Sequence, residues 1–235
     1  MKIYGLNKTT LLDYPGRVAA TVFTGGCNFR CPFCHNGDLV LCSEKPETFS
    51  EEEVLLFLEK RRNILHGVCI TGGEPTLNHD LREFIMKIRN LGLSVKLDTN
   101  GSNPEVLEEL LKDSLLDYVA MDIKNSFAKY EETAGVFDNF ERIKASVERL
   151  KNSSIPYEFR TTVVKDFHSE MDLYEICEWI QGAPLYVLQQ FIKDNGILGN
   201  QDFQAYTDFE LKGICERLNH NSAMAGKVLL RGAGS

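Results

Sequence analysis

The stretch Val18-Ala-Ala-Thr-Val-Phe-Thr-Gly-Gly-Cys27-Asn-Phe-Arg-Cys31-Pro-Phe-Cys34 carries two patterns in succession. Its first half is a short apolar, β-branched run closed by Gly25-Gly26, which reads as a buried strand. Its second half places three cysteines, spaced C-x3-C-x2-C, in the loop that follows that strand. The first pattern recurs along the chain. Val68-Cys-Ile-Thr71 is closed by Gly72-Gly73, Ser94-Val-Lys-Leu-Asp98 by Thr99-Asn-Gly101, and Asp117-Tyr-Val-Ala-Met-Asp122 by Ile123-Lys124. Tyr157 to Val164 and Pro184 to Phe191 read as two further strands.

Helical signals fill the intervals. Ser50 with Glu53 forms a capping-box pattern ahead of Val54, Leu55, Phe57 and Leu58, and Thr207 with Glu210 repeats it ahead of Leu211, Ile214, Cys215 and Leu218. Leu81, Phe84, Ile85, Ile88 and Leu91 recur at helical spacing, as do Phe140, Ile143, Val147 and Leu150, and Leu173, Ile176, Cys177 and Ile180. Asn103-Pro104 opens another helix through Leu111. About six strand and helix pairs, with no Pro/Ser-rich linker, predict an α/β fold: a parallel sheet with outer helices, too short for a closed eight-unit barrel and suited to a partial one. The expectation is one domain over residues 1–235, with a barrel core from about 18 to 191 and a C-terminal helix and tail over 205–235. Chemistry in such folds collects where strands end. Four successive strand ends here carry polar or cysteine-rich segments.

Composition narrows the class of function. The chain has 235 residues, 43% hydrophobic and 26% charged, which is ample for a packed core and excludes a disordered chain. A formal charge of −8 weighs against a general nucleic-acid role. Lys2, Asn7, Lys8, Asp13 and Arg17 interrupt any secretory apolar core, and Val54 to Leu58 is far shorter than the roughly 20 residues a bilayer needs. The reading is therefore cytoplasmic, without a membrane partner, and with reduced thiols.

Seven cysteines make a disulfide scaffold improbable in number and spacing, and three thiolates within eight residues can wrap one metal centre. A structural zinc ion wants four ligands, and His35, Cys42 or Cys69 could supply the fourth. An iron–sulfur cubane usually takes four cysteines, so three would leave one iron open to an outside ligand. Cys69 falls inside a strand, while Cys177 and Cys215 fall on helical apolar stripes, so all three read as core residues. Cys42 is undecided. His35 and Asn36, beside Cys34, read as groups that shape the cluster's surroundings by hydrogen bonding.

Cys27, Cys31 and Cys34, with Cys31-Pro-Phe-Cys34 and Gly72-Gly-Glu74, resemble the radical S-adenosylmethionine (SAM) superfamily. The resemblance implies a partial (β/α)6 barrel and one [4Fe-4S] cluster on the three cysteines, with SAM on the open iron. It places Phe33 near the adenine, lets backbone at Gly72 and Gly73 approach the methionine moiety, and aims Glu74 at its ammonium group. Leu97-Asp-Thr-Asn-Gly101 and Met121-Asp-Ile-Lys124 resemble segments of glycyl-radical-enzyme activases. There Asp98, Thr99 and Asp122 match positions that help bind a monovalent cation, and Lys124 matches a SAM-contacting lysine. Arg160 is a candidate to neutralise the SAM carboxylate or to make a structural ion pair.

Gly5-Leu-Asn-Lys-Thr-Thr-Leu-Leu-Asp-Tyr-Pro-Gly16 and Gly25 to Asn36 look most like anaerobic ribonucleoside-triphosphate reductase activating proteins. That resemblance implies reductive cleavage of SAM to a 5′-deoxyadenosyl radical and installation of a glycyl radical on anaerobic ribonucleotide reductase, with an electron donor such as flavodoxin or ferredoxin. Leu188-Gln-Gln-Phe191 departs from the pyruvate formate-lyase type, which carries a histidine after this strand. The alternatives are a radical SAM enzyme acting on a small heterocycle, of the 7-carboxy-7-deazaguanine synthase kind, and a non-catalytic zinc or iron–sulfur binding module.

Overall fold

In a computed structural model of the chain, the structure describes residues 1–41, 48–137, 139–193, 197–199 and 202–232. Cys42 and positions 233–235 of the tail lie outside them. In chain order the elements are β1 (Ile3–Thr10), β2 (Ala19–Thr24), α1 (Gly37–Val40), α2 (Glu51–Arg61), β3 (Gly67–Gly72), α3 (Leu81–Asn90), β4 (Ser94–Thr99), α4 (Pro104–Lys112) and β5 (Tyr118–Asp122). They continue as α5 (Tyr130–Ala134), α6 (Phe140–Lys151), β6 (Tyr157–Val163), α7 (Glu170–Trp179), β7 (Tyr186–Gln190), α8 (Asp208–Asn221) and β8 (Val228–Arg231).

One eight-stranded sheet runs in chain order from β1 to β8. The six strands expected from sequence are β2 to β7, each parallel to the next. Two strands were not anticipated. β1 pairs antiparallel to β2, and β8 extends the parallel ladder beyond β7 from within the 205–235 segment. Their sequences explain the omission. β1 exposes Asn7, Lys8 and Thr9 at a sheet edge, and β8 is only four residues long. β1 shows no apolar run, and the three apolar residues Val228-Leu-Leu230 of β8 are too few to mark a strand.

Both capping boxes exist, with Ser50 and Thr207 accepting from the backbone N–H of Glu53 and Glu210. A third, Ser169 with Asp172, opens α7, where Asp stands in the place usually held by Glu or Gln. No helix among the described residues is long and apolar enough to cross a membrane.

The pleat gives the sheet two unlike faces. Ala20, Val22, Val68, Ile70, Val95, Leu97, Val119, Met121, Phe159 and Leu188 point outward and are fully buried. They join one apolar core with Val54 and Leu58 of α2, Phe84 and Ile88 of α3, Leu107 of α4, Ile143 and Val147 of α6, and Ile176 of α7. Register puts Thr21, Cys69, Lys96 and Tyr118 side by side on the inner face, followed by Asp98 with Ala120 and Glu158, and then Asp122 with Arg160. The connector between β1 and β2 lays the ring of Tyr14 against Tyr118 (6.2 Å between centroids) and against Gly67, where a Cβ would lie 2.8 Å from the ring. That end of the strands is filled, and the inner face opens toward the other.

Candidate functional site

The cysteine loop leaves β2 directly and is held by four other segments. The carbonyl of Gly26 accepts from Glu74 N–H (2.8 Å), and Arg30 N–H donates to Ala134 O (2.9 Å). Leu198 N–H donates to Cys34 O (3.1 Å) and Gly199 N–H to Pro32 O (2.8 Å). Asn100 Nδ2 donates to Asn28 Oδ1 (3.0 Å). The backbone of β3 reaches this loop because Gly72 and Gly73 have no Cβ. One at Gly72, whose φ is 122°, would collide with Thr24 O, and one at Gly73 with Gly26 O. The close approach these glycines permit is thus to the cysteine loop itself.

Glu74, expected to face a ligand's ammonium group, is fully buried. Its Oε1 accepts from Thr76 N–H (3.1 Å), Thr76 Oγ1 (2.5 Å) and Thr99 Oγ1 (2.7 Å), and its Oε2 from Asn100 N–H (2.6 Å). Burial pushes its carboxyl above the ordinary value, against the opposing pull of the bonds from Asn100, Thr76 and Thr99. Glu74 therefore ties the ends of β3 and β4 together, while its backbone N–H ties them to the cysteine loop.

A connected ion-pair network lines the inner face. Arg160 spans both aspartates, donating through Nε to Asp122 Oδ1 (2.7 Å) and through its two terminal nitrogens to Asp98 Oδ2 (3.3 and 3.4 Å). Lys124 Nζ binds Asp122 Oδ2 (3.0 Å), and Lys96 Nζ binds Asp98 Oδ1. Burial alone would raise both aspartates. The Arg160 guanidinium with Lys124 instead holds Asp122 well below the carboxylate range, and Lys96 with Arg160 does the same for Asp98. Burial would lower Lys124, but Asp122 and the neighbouring thiols hold it above its ordinary value. Within this network three cations face two anions.

These groups and the thiols share one space. A cavity of about 120 Å³ is lined by Cys27, Cys31, Cys34, Asn36, Gly72, Asp98, Asp122, Lys124 and Arg160. An adjoining cavity of about 300 Å³ shares Cys31, Cys34, Lys124 and Arg160 with it and continues past Phe33, Thr162 and Gln189 to Asp13 and Thr21. Burial pushes the thiol of Cys31 up to about 12 and that of Cys27 to about 11, and it raises Cys34, while the Lys124 ammonium pulls Cys31 and Cys34 the other way. Thiols this buried lose their protons only to a strongly cationic centre.

The donor set suits a cubane. Cysteines that hold a cubane each bind a different iron and need only border one volume. The three cysteines do so, beside cations suited to the carboxylate of SAM. Asp98, Thr99 and Asp122 border the same cavity, and every oxygen of the two aspartates accepts from Lys96, Lys124 or Arg160.

Other expected residues fall into place around this core. Phe33 is buried against Phe167 (5.3 Å) and His168 (6.1 Å) on the cavity wall. Thr99 lines the smaller cavity while its hydroxyl serves Glu74. His35 Nε2 donates to Ile192 O (2.5 Å), and Asn36 Nδ2 donates to Gly72 O (3.1 Å). Cys177 and Cys215 belong to the apolar core. Cys69 does not: it is buried on the inner face, with its Sγ 3.6 Å from Asp98 Oδ1 and 3.7 Å from Lys96 Nζ. Sequence reasoning also missed Lys96, Asn100 and Glu158. The available signal was the period-two alternation of Lys96 and Asp98 with Val95 and Leu97, which marks a strand with one polar face.

Comparison with known proteins agrees with this geometry. A family model described as "Radical SAM superfamily" matches residues 21–180. A Methanocaldococcus jannaschii protein named as a glycyl-radical enzyme activating enzyme is 36% identical over 194 residues, covering 80% of this chain and 79% of its own length. A Methanothermobacter marburgensis protein named as a GTP 3′,8-cyclase is 27% identical over 74% of this chain and 59% of its own. Streptococcus suis SuiB bound to S-adenosylmethionine superposes with a TM-score of 0.72 at 15% identity, covering 89% of this chain and 49% of that one. The structure titled anSMEcpe with bound AdoMet gives 0.65 at 15% identity, covering 88% of this chain and 61% of that one. At such identity these two structures speak to the fold alone.

Proposed function

The chain belongs to the radical SAM superfamily, and on that premise we propose that it is the activase that installs a glycyl radical on anaerobic ribonucleoside-triphosphate reductase. The observation that carries this reading is the cavity in which the thiols of buried Cys31 and half-buried Cys27 and Cys34 meet a cation-rich wall, in a chain 36% identical to a protein named for glycyl-radical enzyme activation. Cys27, Cys31 and Cys34 would hold the [4Fe-4S] cluster. The chemistry that the bound cluster and SAM supply is one-electron cleavage of the C5′–S bond, and hydrogen abstraction from a main-chain glycine follows.

The chain's own residues bind, orient and exclude. Lys124 and Arg160 present their charge to the SAM carboxylate, and Asp98 and Asp122 keep both cations oriented. Glu74 positions the strand ends through its four hydrogen bonds without touching the ligand. Phe33, backed by Phe167, closes one wall of the cavity against water. The electron comes from an outside donor of the flavodoxin or ferredoxin class.

Anaerobically reconstituted protein, mixed with SAM, a reductant and the ribonucleotide reductase, should produce a glycyl-radical electron paramagnetic resonance signal. Cys31→Ala should remove the signal together with the cluster's visible absorbance. SAM cleavage with no radical on the reductase, accompanied by turnover of a free heterocycle, would overturn the assignment.

A further inference from the structure

Asn100, at the exit of β4, lines the smaller cavity and is buried. Its side chain has no freedom to turn over. Oδ1 accepts from Ser102 N–H (2.9 Å), so the amide must present Nδ2 to the cysteine loop, and the main-chain N–H is held on Glu74 Oε2 (2.6 Å). The two hydrogens of Nδ2 have two acceptors there. One is Asn28 Oδ1 at 3.0 Å, and the other is Cys27 Sγ at 3.8 Å, a reach that the larger sulfur atom allows. Phe29 N–H donates to the same sulfur at 3.3 Å. The three cysteines are therefore not alike. Cys27 meets a main-chain and a side-chain donor, and Cys34 meets the main-chain N–H of Asn36. Cys31 Sγ instead lies 3.7 Å from Ala134 O, which has no proton to give.

We propose that Asn100 sets the reduction potential of the cluster, its Nδ2–H bond to the Cys27 thiolate stabilising the reduced form. This rests on the reading that Cys27, Cys31 and Cys34 hold one [4Fe-4S] cluster. The step concerned is a one-electron reduction by the outside donor of the flavodoxin or ferredoxin class, in which no bond forms or breaks and the amide keeps its proton. The added electron makes the cluster and its thiolates more negative. A donor aimed at one of those sulfurs strengthens as that charge grows, and hydrogen bonds to sulfur are among the quantities that fix the potential of an iron–sulfur centre. Asn100 acts through Cys27, so it is a positioning residue. Burial of the amide matters as well, because a donor shielded from water keeps more of its effect on a neighbouring charge.

The two bonds of Nδ2 can be separated by substitution. Asn28→Ala removes the acceptor that tethers Asn100 to the loop and leaves the donor to Cys27, whereas Asn100→Ala removes both bonds. Each reconstituted protein, without SAM, is poised at the wild-type midpoint potential, and its reduced cluster is counted by electron paramagnetic resonance. The ratio of reduced to oxidised cluster should fall about three- to tenfold in Asn100→Ala, tenfold being about 59 mV for one electron, and stay within about twofold of wild type in Asn28→Ala. Asn100→Asp keeps an oxygen for Ser102 N–H and replaces the donor with a carboxylate, so its ratio should fall at least as far. An unchanged ratio in Asn100→Ala would overturn the proposal. So would an equal fall in Asn28→Ala, which would make the tether the cause, or loss of iron and sulfide from both Asn100 variants, which would make the residue part of the scaffold. Failure of the underlying reading looks different: wild-type protein would take up no cubane and give no signal to titrate.

Discussion

The two faces of the sheet are made by the same strands and differ in almost every property. On β4, Val95 and Leu97 sink into the apolar layer beneath the helices, while Lys96 and Asp98 turn toward the cavity. On β6, Phe159 and Val163 face outward, and Glu158, Arg160 and Thr162 face inward. A shift of one residue along a strand separates a position in the apolar core from one on the face that carries the cavity. The outer face is held by burial of apolar area. The inner face is held by charges satisfied in pairs.

Substitutions on each face should therefore fail in different ways. Leu97→Ala, at a fully buried outward position, should cost about 2–5 kcal/mol in urea denaturation, while the SAM affinity of the folded fraction stays at the wild-type value. A cost below that range would mean the outer face is loosely packed and the contrast overstated.

Arg160→Lys keeps the charge but loses the planar fork that spans Asp98 and Asp122. Its SAM dissociation constant, measured by equilibrium dialysis, should rise about tenfold, equivalent to about 1.4 kcal/mol. Its denaturation midpoint should move less than that of Leu97→Ala. Equal destabilisation would show the inner face to be scaffold as much as site.

Asp122→Asn sharpens the comparison through pH. Although burial acts to raise it, pairing with Arg160 and Lys124 holds the folded-state pKa of Asp122 below its unfolded value, near 4. Its contribution is therefore complete above about pH 4 and is lost as pH falls toward the folded-state value. Urea denaturation should show wild type ahead of Asp122→Asn at pH 5 and a narrower gap at pH 3. A gap that widened on acidification would contradict the ion-pair account.

Thr207→Ala, on the solvent side of both layers, removes one capping box and should cost about 1 kcal/mol, with no effect on SAM. A change in SAM affinity in that variant would mean the helical layer and the inner face are not separable.

Much of the site was legible because its parts are local. The C-x3-C-x2-C spacing, the Gly72-Gly73 pair and the polar strand ends at Asp98 and Asp122 all stand in short windows, and the structure brings them to one cavity. What escaped depended on partners far along the chain. Glu74 reads from sequence as a ligand-facing carboxylate, and only the structure shows that Thr99 and Asn100, about 25 residues on, donate to its oxygens. Cys69 looked like core because its neighbours in sequence are apolar, whereas its neighbours in space are Lys96 and Asp98. β1 and β8 were hidden because an edge strand need bury only one side, and so lacks the apolar pattern by which strands are recognised.

The amino-acid sequence by itself determined the order of strands β2 to β7 and of the longer helices, the parallel character of the central sheet and the three cysteines that can hold a cluster. Each of these rests on periodicity or spacing over a few residues. Tertiary structure alone decided which face of each strand meets the cavity, and which carboxylates are already filled by Lys96, Lys124 and Arg160. Those outcomes depend on which distant groups share a small volume, where a single neighbouring charge or hydrogen bond settles whether a side chain is free to bind or already bound.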